Sequence, residues 1–430
     1  MTTDRNPAAL RHAMMARLHP GVRTALEAIV REGARAGGVY AAGGVVRDLL
    51  LGRPIADLDL VTTADALTVV RQALPEARPT LHEAFRTASI TINDARIDVA
   101  TARRETYARP GALPHVEPSD IEADLRRRDF TINAMALRLD GDAALVDPCV
   151  GRADLDARLI RVLHDAAFRD DATRILRACR YAARLAFTSE PHTSRLIERG
   201  VRELDTIGGE RLRRELELIF GEETAGVALV LAQNYGALSA IDPALSWDDS
   251  RTLGFESDAV HSLPRVALGF ALLATGATPD EAQRIASRLR LKRDEAAAVA
   301  GVAALRGVTS MLQRPDAKPS GVTVLLDRFP ATSVAAFALT SDGSIAGQLA
   351  LRYLAEWRHV KPFLRGDDLL AMDVPQGPQV QRGLQLIRAA RLDGWAADAD
   401  DERVLVARFA KGIRDSESMN SIVELETDDG

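Results

Sequence analysis

The chain has 430 residues, which is more than one ordinary hydrophobic core contains, so we expect two to four domains. A hydrophobic content of 47% and a charged content of 27% are typical of a globular protein, and two cysteines are too few for a disulfide framework or a zinc cluster. The net charge of −6 argues weakly against a nucleic-acid partner, and the lack of a run of about 18 apolar residues predicts a cytoplasmic protein without a membrane segment.

Helical and strand patterns alternate in the first part of the chain. Residues 21–36 have the apolar spacing of a helix. The run VYAAGG predicts a short strand that ends in a glycine turn, and VVRDLLLG predicts the helix that follows. Further strands are expected at 58–62 and in a hairpin over 87–101, whose turn would be Asn93–Asp94.

The rest of the chain is predicted to be helical after a proline-rich loop, YARPGALPHVEPSD, at 107–120. From residue 150 onward the helical spacing continues almost throughout. Breaks are expected near 188–193, 245–250, 314–320 and 373–379. The pattern therefore predicts an α+β protein, in which a small mixed-sheet head precedes an all-helical remainder.

Glycines, an arginine and alternating aspartates lie close together in GGVVRDLLLGRPIADLDLVTT, residues 43–63. Glycines free backbone N–H groups for phosphate oxygens, and Arg47 adds a charged donor. Asp57 and Asp59 share one side of the strand pleat, and two such carboxylates can hold magnesium beside a triphosphate. Two metal ions would activate an attacking hydroxyl and stabilise leaving pyrophosphate. Alternating aspartates alone are a weak signal, but the preceding glycines and arginine make the pattern specific.

Two arginine-rich stretches add possible nucleotide contacts. In DLRRRDFTINAMAL (124–137), Arg128 could reach a phosphate or sugar, and Asp129 could orient a neighbouring group. In RDDATRILRACRYAARLAF (169–187), one helix face carries arginines without interleaved glutamates, which is unfavourable unless an anion or another acceptor lies there. These arginines are Arg174, Arg177, Arg180 and Arg184.

Together these stretches resemble the class II polymerase β-type nucleotidyltransferases, the group of CCA-adding tRNA nucleotidyltransferases and bacterial poly(A) polymerases. The family's catalytic motif matches 43–63, its ribose motif matches RRDFTINAMAL, and its nucleotide-selecting helix matches DDATR with the residues that follow. Its hinge motif resembles LVDPCVGRADL (145–155), and 364–394 resembles a segment in the tail of CCA-adding members.

The resemblance implies a role for each matching residue. Asp57 and Asp59 would be the catalytic residues and would hold Mg²⁺. The nucleotide-binding residues would be Gly44, Arg47, Arg128, Asp171, Arg174, Arg177 and Arg180. An aspartate accepts from the amino group of cytosine or adenine and an arginine donates to the base, so such a pair admits C and A but leaves groups unpaired against U and G.

The resemblance also implies a domain order of head, neck, body and tail. The predicted parts are an N-terminal helical extension at 1–38, the nucleotidyltransferase head at 39–145, the neck with the nucleotide-selecting helix at 146–210, the helical body at 211–330, a helical tRNA-binding tail at 331–415 and an acidic C-terminus at 416–430.

The implied function is template-independent addition of CMP and AMP, from CTP and ATP, to the 3′ end of tRNA by two-metal in-line phosphoryl transfer. A specialist that adds only CC or only A is the main alternative, followed by a poly(A) polymerase and an inactive RNA-binding relative. No obligate protein partner is indicated.

The sequence departs from the family's pattern at two places. Asp170 stands where the family usually has glutamate, and the loop at 107–116 lacks the usual Asp-x-Arg-Arg-Pro wording. In the family this loop is tied to addition of the final A, so the extent of addition stays open. Asp98, in RIDVAT, is either a third catalytic carboxylate or a structural surface residue.

Overall fold

The computed structural model describes residues 6–55, 57–106, 115–257, 260–314, 317–341 and 343–427, with the backbone alone beyond residue 413. The chain divides into two compact units, Met1–Pro243 and Ala244–Gly430. The finer division into head, neck, body and tail stays a prediction.

A mixed β-sheet forms the centre of the first unit. Its strand order is β3-β4-β5-β2-β1-β8-β9, in which β2 and β5 run parallel and the other neighbours antiparallel. The strands of this unit are β1 Val39–Ala42, β2 Leu58–Thr62, β3 Thr80–His82, β4 Thr87–Ile92, β5 Ala95–Thr101, β6 Arg103–Thr106, β7 His115–Pro118, β8 Ala136–Arg138, β9 Leu145–Val146, β10 Leu159–Ile160 and β11 Thr188–Ser189.

The first two predicted strands and the glycine turn are confirmed. β1 ends at Ala42, and α3 begins at Gly44 directly after Gly43, whose φ of 69° is one that glycine adopts without strain. Along β2, Leu58 and Leu60 are buried while Asp59 between them is exposed, because successive side chains point to opposite faces. The acidic side chain therefore lies outside the apolar core.

The predicted hairpin is confirmed as β4 and β5. Its two turn residues, Asn93 and Asp94, have φ values of 48° and 63°, the left-handed pair that fits a two-residue turn to the twist of its strands. The same β5 also pairs in parallel with β2, in a register that sets Asp98 beside Asp59. A short-range turn thus brings a third carboxylate to the aspartate-bearing strand.

The loop predicted at 107–120 is wrong over its second half. Residues 107–114 lie outside the described part of the chain, but His115–Pro118 form β7, which pairs antiparallel with β6. Pro118 lies at the last position of this strand, opposite Arg103, where a residue without an N–H is tolerated. Pairing with β6 overrides the weak strand tendency of the segment itself.

Helices cover the sheet and complete the first unit. They are α1 Pro7–Arg17, α2 Pro20–Ala36, α3 Gly44–Leu50, α4 Ala66–Ala73, α5 Ile121–Arg126, α6 Gly151–Ala157, α7 Ala167–Asp170, α8 Thr173–Leu185, α9 Pro191–Gly200, α10 Gly209–Phe220, α11 Ala225–Asn234 and α12 Ala237–Ile241. The helix predicted over 21–36 is confirmed as α2. α8 packs against α10 and α11. It buries Ile175, Leu176 and Cys179 completely or nearly so.

The described part of the second unit is helical. Its helices are α13 Asp249–Phe255, α14 Arg265–Leu273, α15 Pro279–Leu289, α16 Arg293–Leu312, α17 Pro319–Leu326, α18 Ala331–Thr340, α19 Ile345–Ala355, α20 Gly366–Ala371, α21 Pro378–Leu392 and α22 Ala399–Thr427. A mixed-sheet head followed by a mostly helical remainder confirms the predicted fold class. The predicted neck is not all-helical, because the short strands β10 and β11 pair in parallel within it.

One described helix, α16, has the length and mean hydropathy of a membrane-spanning segment. Core helices of globular proteins have the same composition, and α16 packs against α14, α15 and α18. The Ser333 hydroxyl of α18 donates to the Ala298 carbonyl of α16 at 2.8 Å. These contacts favour a core helix.

Candidate active site

The sequence-predicted motifs converge on one polar cleft of about 320 Å³ in the first unit. The glycine turn, β2, β6, the segment around Arg128 and α8 each contribute to its wall. The residues that line it are Gly43, Gly44, Asp59, Glu105, Arg127, Arg128, Asp129, Asn133, Asp171, Arg174, Arg177 and Tyr181. Three stretches that are far apart in the sequence therefore share a single site.

Arg128 lies directly against the glycine turn. A Cβ atom on Gly43 would collide with Nη1 of Arg128, so a side chain here would displace this guanidinium, and the positive φ itself favours glycine. Asp124 holds the guanidinium in place by accepting from Nε at 3.3 Å and from Nη2 at 3.1 Å. The Gly43 amide bonds the Met135 carbonyl at 3.0 Å, so the donors available at this end of the cleft are Arg128 and the N–H groups of the first turn of α3, which have no partner within the helix.

Carboxylates cluster around β2, which neighbours the strand that ends at the glycine turn. Although the side chain is exposed to the cleft, desolvation by the protein atoms around it raises the pKa of Asp59; the charge of Arg128 acts in the other direction, and the nearby charges of Asp98 and Asp57 raise the pKa further. Asp98 is held by Arg96, whose Nε donates to it at 2.9 Å. Of the three aspartates, Asp59 lines the cleft itself.

The donor chemistry of this wall fits magnesium. Carboxylate oxygens are the ligands that Mg²⁺ prefers, and mutual repulsion among the aspartates is the electrostatic situation that a bound cation relieves. Among the described residues, no group of three or more His, Cys, Asp and Glu side chains is arranged tightly enough to hold a metal by itself. Magnesium bound by one or two carboxylates typically completes its coordination with substrate phosphates and water.

Arg47 lies one layer behind the cleft. Its side chain is buried, donates twice to Asp48, at 2.9 and 2.8 Å, and donates to Asn133 Oδ1 at 2.7 Å. Burial lowers the pKa of Arg47, but the hydrogen bond and charge of Asp48 outweigh this and raise it overall. In this structure Arg47 orients Asn133 and has Asp48 as its structural partner, and its triphosphate contact stays a prediction.

The arginine face of α8 is neutralised by carboxylates from other elements. Arg177 donates to Asp129 Oδ2 at 2.9 Å from Nε and at 2.6 Å from Nη2, and lies 3.4 Å from Glu215 of α10. Arg180 pairs with Glu222 at 3.3 Å, and lies beneath the cleft wall rather than on it. The acceptors that α8 lacks in its own sequence are thus supplied by tertiary contacts.

Arg174 keeps one donor without a partner. Its Nη2 donates to the backbone carbonyl of Arg127 at 3.0 Å, whereas Nη1 is buried and has no hydrogen-bond partner. A buried donor of this kind is rare in native structures and costs about 1–3 kcal/mol when nothing satisfies it. Because Arg174 lines the cleft, a bound ligand can supply the missing acceptor.

Asp129 is the buried hub of the site. It accepts hydrogen bonds from the Phe130 amide at 2.8 Å and from Asn133 Nδ2 at 3.0 Å, in addition to Arg177. Burial acts to raise its pKa, but the charge of Arg177 and these hydrogen bonds dominate and lower it to about 2. Asp129 is therefore ionised and orients both Asn133 and Arg177, as its sequence position suggested.

Asp171 lies just before the first turn of α8. Its carboxylate accepts from the Thr173 amide at 3.1 Å and from the Thr173 hydroxyl at 2.6 Å, and it pairs with Arg211 of α10 at 2.8 Å. A carboxylate has about four acceptor positions, so these contacts leave room for a base amino group. Arg211 belongs to RLRRELE (211–217), a stretch whose sequence gave no sign of this contact.

Sequence reasoning missed several residues of the site. Glu105, which accepts from Arg127 at 2.8 Å, and Tyr181 line the cleft, while Glu215 supports it from below. Glu105 and Glu215 are distant in sequence from their partners, whereas Tyr181 lies inside the arginine-rich helix motif and so carried a sequence signal. Asp57, Arg47 and Arg180 were predicted to contact ligand and do not line the cleft.

The sequence of the chain is similar to those of a known family and of several known proteins. The family described as the poly A polymerase head domain matches residues 39–161. The A-adding tRNA nucleotidyltransferase of Geobacter sulfurreducens is 33% identical over 398 residues, which cover 86% of this chain but 45% of that relative, so the chain spans less than half its length. The CC-adding tRNA nucleotidyltransferase of Deinococcus radiodurans is 33% identical over 372 residues, covering 85% of this chain and 88% of the relative.

The fold also matches a solved structure over nearly its whole length. The Thermotoga maritima CCA-adding enzyme complexed with tRNA is 26% identical, with a TM-score of 0.76 and coverage of 92% of this chain and 97% of that one.

Proposed function

The chain belongs to the class II tRNA nucleotidyltransferase family, and we propose that it adds CMP and AMP, from CTP and ATP, to the 3′ end of tRNA without a nucleic-acid template. The observation that carries this proposal is the convergence of the glycine turn, Asp59 and the α8 residues on one cleft. A nucleoside triphosphate has a part that suits each of these: an anionic phosphate chain for the glycine turn, oxygens that share a metal with Asp59, and a base edge for the α8 residues.

The phosphate end of the nucleotide would lie at the glycine turn. Backbone N–H groups there and the guanidinium of Arg128 donate to triphosphate oxygens, and Asp124 keeps that guanidinium aimed at the turn. Asp57 and Asp59 would hold magnesium at the neighbouring wall. When bound, the metal supplies positive charge that activates the attacking hydroxyl and stabilises the leaving pyrophosphate.

The base would be selected by α8. Asp171 accepts from the amino group of cytosine or adenine, and the unpartnered Nη1 of Arg174 donates to a base acceptor. Uracil and guanine present a carbonyl where the amino group is needed, so they leave Asp171 unpaired. Arg177 and Arg180, tied to carboxylates, would stiffen this wall, and Arg47 would hold Asn133 from behind.

A specialist that adds only CC or only A is the second candidate. Relatives with each of these activities are equally similar to the chain, at 33% identity. Asp170 and the loop at 107–116 are the two departures from the family's pattern. The family resemblance implies that the loop affects addition of the final A and that Asp170 begins the nucleotide-selecting motif. A cytoplasmic location and action without a partner protein complete the proposal.

The experiment uses three tRNA substrates that end at the discriminator base, at C and at CC. Purified protein with magnesium receives CTP, ATP or both, and the products are resolved to single nucleotides. Full CCA addition on the first substrate supports the proposal, whereas arrest after CC, or extension of the third substrate alone, identifies a specialist. A protein that extends none of them would refute nucleotidyl transfer to tRNA.

The carboxylate site is tested with Asp59→Asn. Incorporation should fall by about 100-fold or more, because the loss of a metal-holding charge removes several kcal/mol of transition-state stabilisation, while tRNA binding stays within about twofold. Asp94→Asn is the matched control, since Asp94 is an exposed turn residue whose positive φ asparagine also adopts. Near-normal turnover of Asp59→Asn would rule out the proposed metal wall.

A further inference from the structure

The ring of Tyr181 lies among three guanidinium groups. Those of Arg180, Arg47 and Arg177 lie 4.9, 5.2 and 5.6 Å from the ring centroid. Phe130 packs edge-to-face against the same ring, with the centroids 5.9 Å apart. Contacts on several sides hold the ring in one orientation, so the position of its hydroxyl is determined by the fold.

Tyr181 lines the cleft, and its hydroxyl accepts a hydrogen bond but donates none to the described residues. The residue is 9% exposed and lines the cleft. Its oxygen accepts a hydrogen bond from Arg177 Nη2 at 3.3 Å. Because a guanidinium is a donor without acceptor capacity, the phenol proton cannot be used in that contact. No residue in the described ranges accepts this proton.

We propose that Tyr181 is a nucleotide-binding residue whose O–H donates to an acceptor of the bound nucleoside triphosphate. A buried donor is almost always paired in a native structure, and a ligand in the cleft that Tyr181 lines can supply the acceptor. Arg174 Nη1, on the same helix and also lining this cleft, is a buried donor without any hydrogen-bond partner. An unused hydroxyl proton and a donor without a partner on residues of one cleft indicate a ligand rich in acceptors, as a nucleotide is.

This inference rests on the proposed function, since it takes the ligand to be a nucleoside triphosphate. It adds a polar contact that the arginines do not make. Asp129 and Glu215 already occupy most of the donors of Arg177, so that side chain has little left to offer a ligand. Tyr181 extends the arginine's hydrogen bonding into the cleft, because accepting from a cation makes its own O–H a stronger donor.

The test is equilibrium binding of CTP and of ATP in the absence of tRNA, followed by steady-state kinetics with tRNA. Tyr181→Phe keeps the ring and its cation contacts and removes the hydroxyl alone. We expect it to weaken binding of the nucleotide by about 5- to 10-fold, the usual effect of losing one hydrogen bond, and to raise KM by a similar factor with kcat within about threefold.

Tyr235→Phe is the matched control, because the Tyr235 hydroxyl bonds Ser194 at 3.2 Å and does not line the cleft. It should leave nucleotide affinity within about twofold of wild type. Equal affinity of Tyr181→Phe and wild type would overturn the inference, as would a loss in Tyr235→Phe as large as in Tyr181→Phe. A wild-type protein that binds neither CTP nor ATP would refute the proposed function itself, which separates the two failures.

Discussion

The Asp129–Arg177 ion pair offers a direct test of how the first unit holds its arginine helix. Asp129→Asn keeps the shape of the side chain and its acceptor for the Phe130 amide, but removes the charge opposite Arg177. Arg177 then keeps only Glu215 as a charged partner, at 3.4 Å. The variant therefore isolates the electrostatic part of the hub.

The expected loss of stability follows from the pKa of Asp129. A folded-state pKa of about 2, against the ordinary value of 3.8 for an aspartate in the unfolded chain, corresponds to about 2 kcal/mol at neutral pH. Removing one member of a buried pair also leaves the other charge uncompensated, for which about 3–5 kcal/mol is usual. We therefore expect the free energy of unfolding of the first unit to fall by about 2–4 kcal/mol.

The sign of the pH dependence follows from the depressed pKa. Above about pH 5 the carboxylate is ionised in both folded and unfolded chains, so its full contribution is present. As the pH falls below 3.8, the unfolded chain takes up a proton that the folded chain resists, and the contribution is lost progressively towards pH 2. The difference between wild type and Asp129→Asn should therefore shrink by about half near pH 3.

The assay has to follow the first unit by itself. All three tryptophans lie after Pro243, so their fluorescence reports on the second unit. Pulsed hydrogen exchange of peptides from α8, along a urea titration at pH 7 and pH 3, avoids this difficulty. Asp142→Asn, at an exposed aspartate of the same unit, should change stability by less than about 0.5 kcal/mol. A similarly small loss for Asp129→Asn at pH 7, or a difference that stays constant down to pH 3, would refute the assignment.

Two further predictions concern packing and selection. Gly151→Ala should lower the free energy of unfolding of the first unit by about 2–4 kcal/mol, because the added Cβ would collide with the backbone carbonyl of Thr131. In the same urea titration, the control Gly208→Ala should cost less than about 1 kcal/mol, since its Cβ meets open space. Asp171→Ala should lower the ratio of kcat/KM for CTP and ATP to that for UTP and GTP by about 5- to 100-fold, since unpaired groups cost about 1–3 kcal/mol each. Unchanged ratios would exclude base selection by Asp171.

The packing of α18 decides how the role of the predicted tail can be tested. The predicted tail begins at residue 331, and α18, which spans Ala331–Thr340, packs against α14 and α16. Five of its residues, Val334, Ala335, Ala336, Phe337 and Ala338, are buried apolar side chains. A truncation before α18 would expose this core, so the role of the tail is better tested by substitutions on its surface than by deletion.

Local patterns in the sequence determined the elements of the catalytic head. Gly43 needs a positive φ, Asn93 and Asp94 form a left-handed turn, and β2 alternates apolar and acidic residues. Each of these depends on a few neighbouring residues, because backbone sterics and side-chain alternation act over one turn or one strand. The turn, the strands and the helix that carry the predicted site could therefore be derived without any knowledge of the fold.

Tertiary packing alone decided which charges meet. Asp129 lies 48 residues before Arg177, and Glu215 lies 38 residues after it, yet the three form one buried cluster. From the sequence, the arginine face of α8 could equally have bound acceptors of a ligand, as predicted for Arg180, or carboxylates of the protein. In the structure Arg177 and Arg180 pair with protein carboxylates. Arg47 was buried for the same reason, since Asp48 and Asn133 satisfy its donors. Contacts between residues far apart in the chain depend on how whole elements pack, and no local pattern encodes that choice.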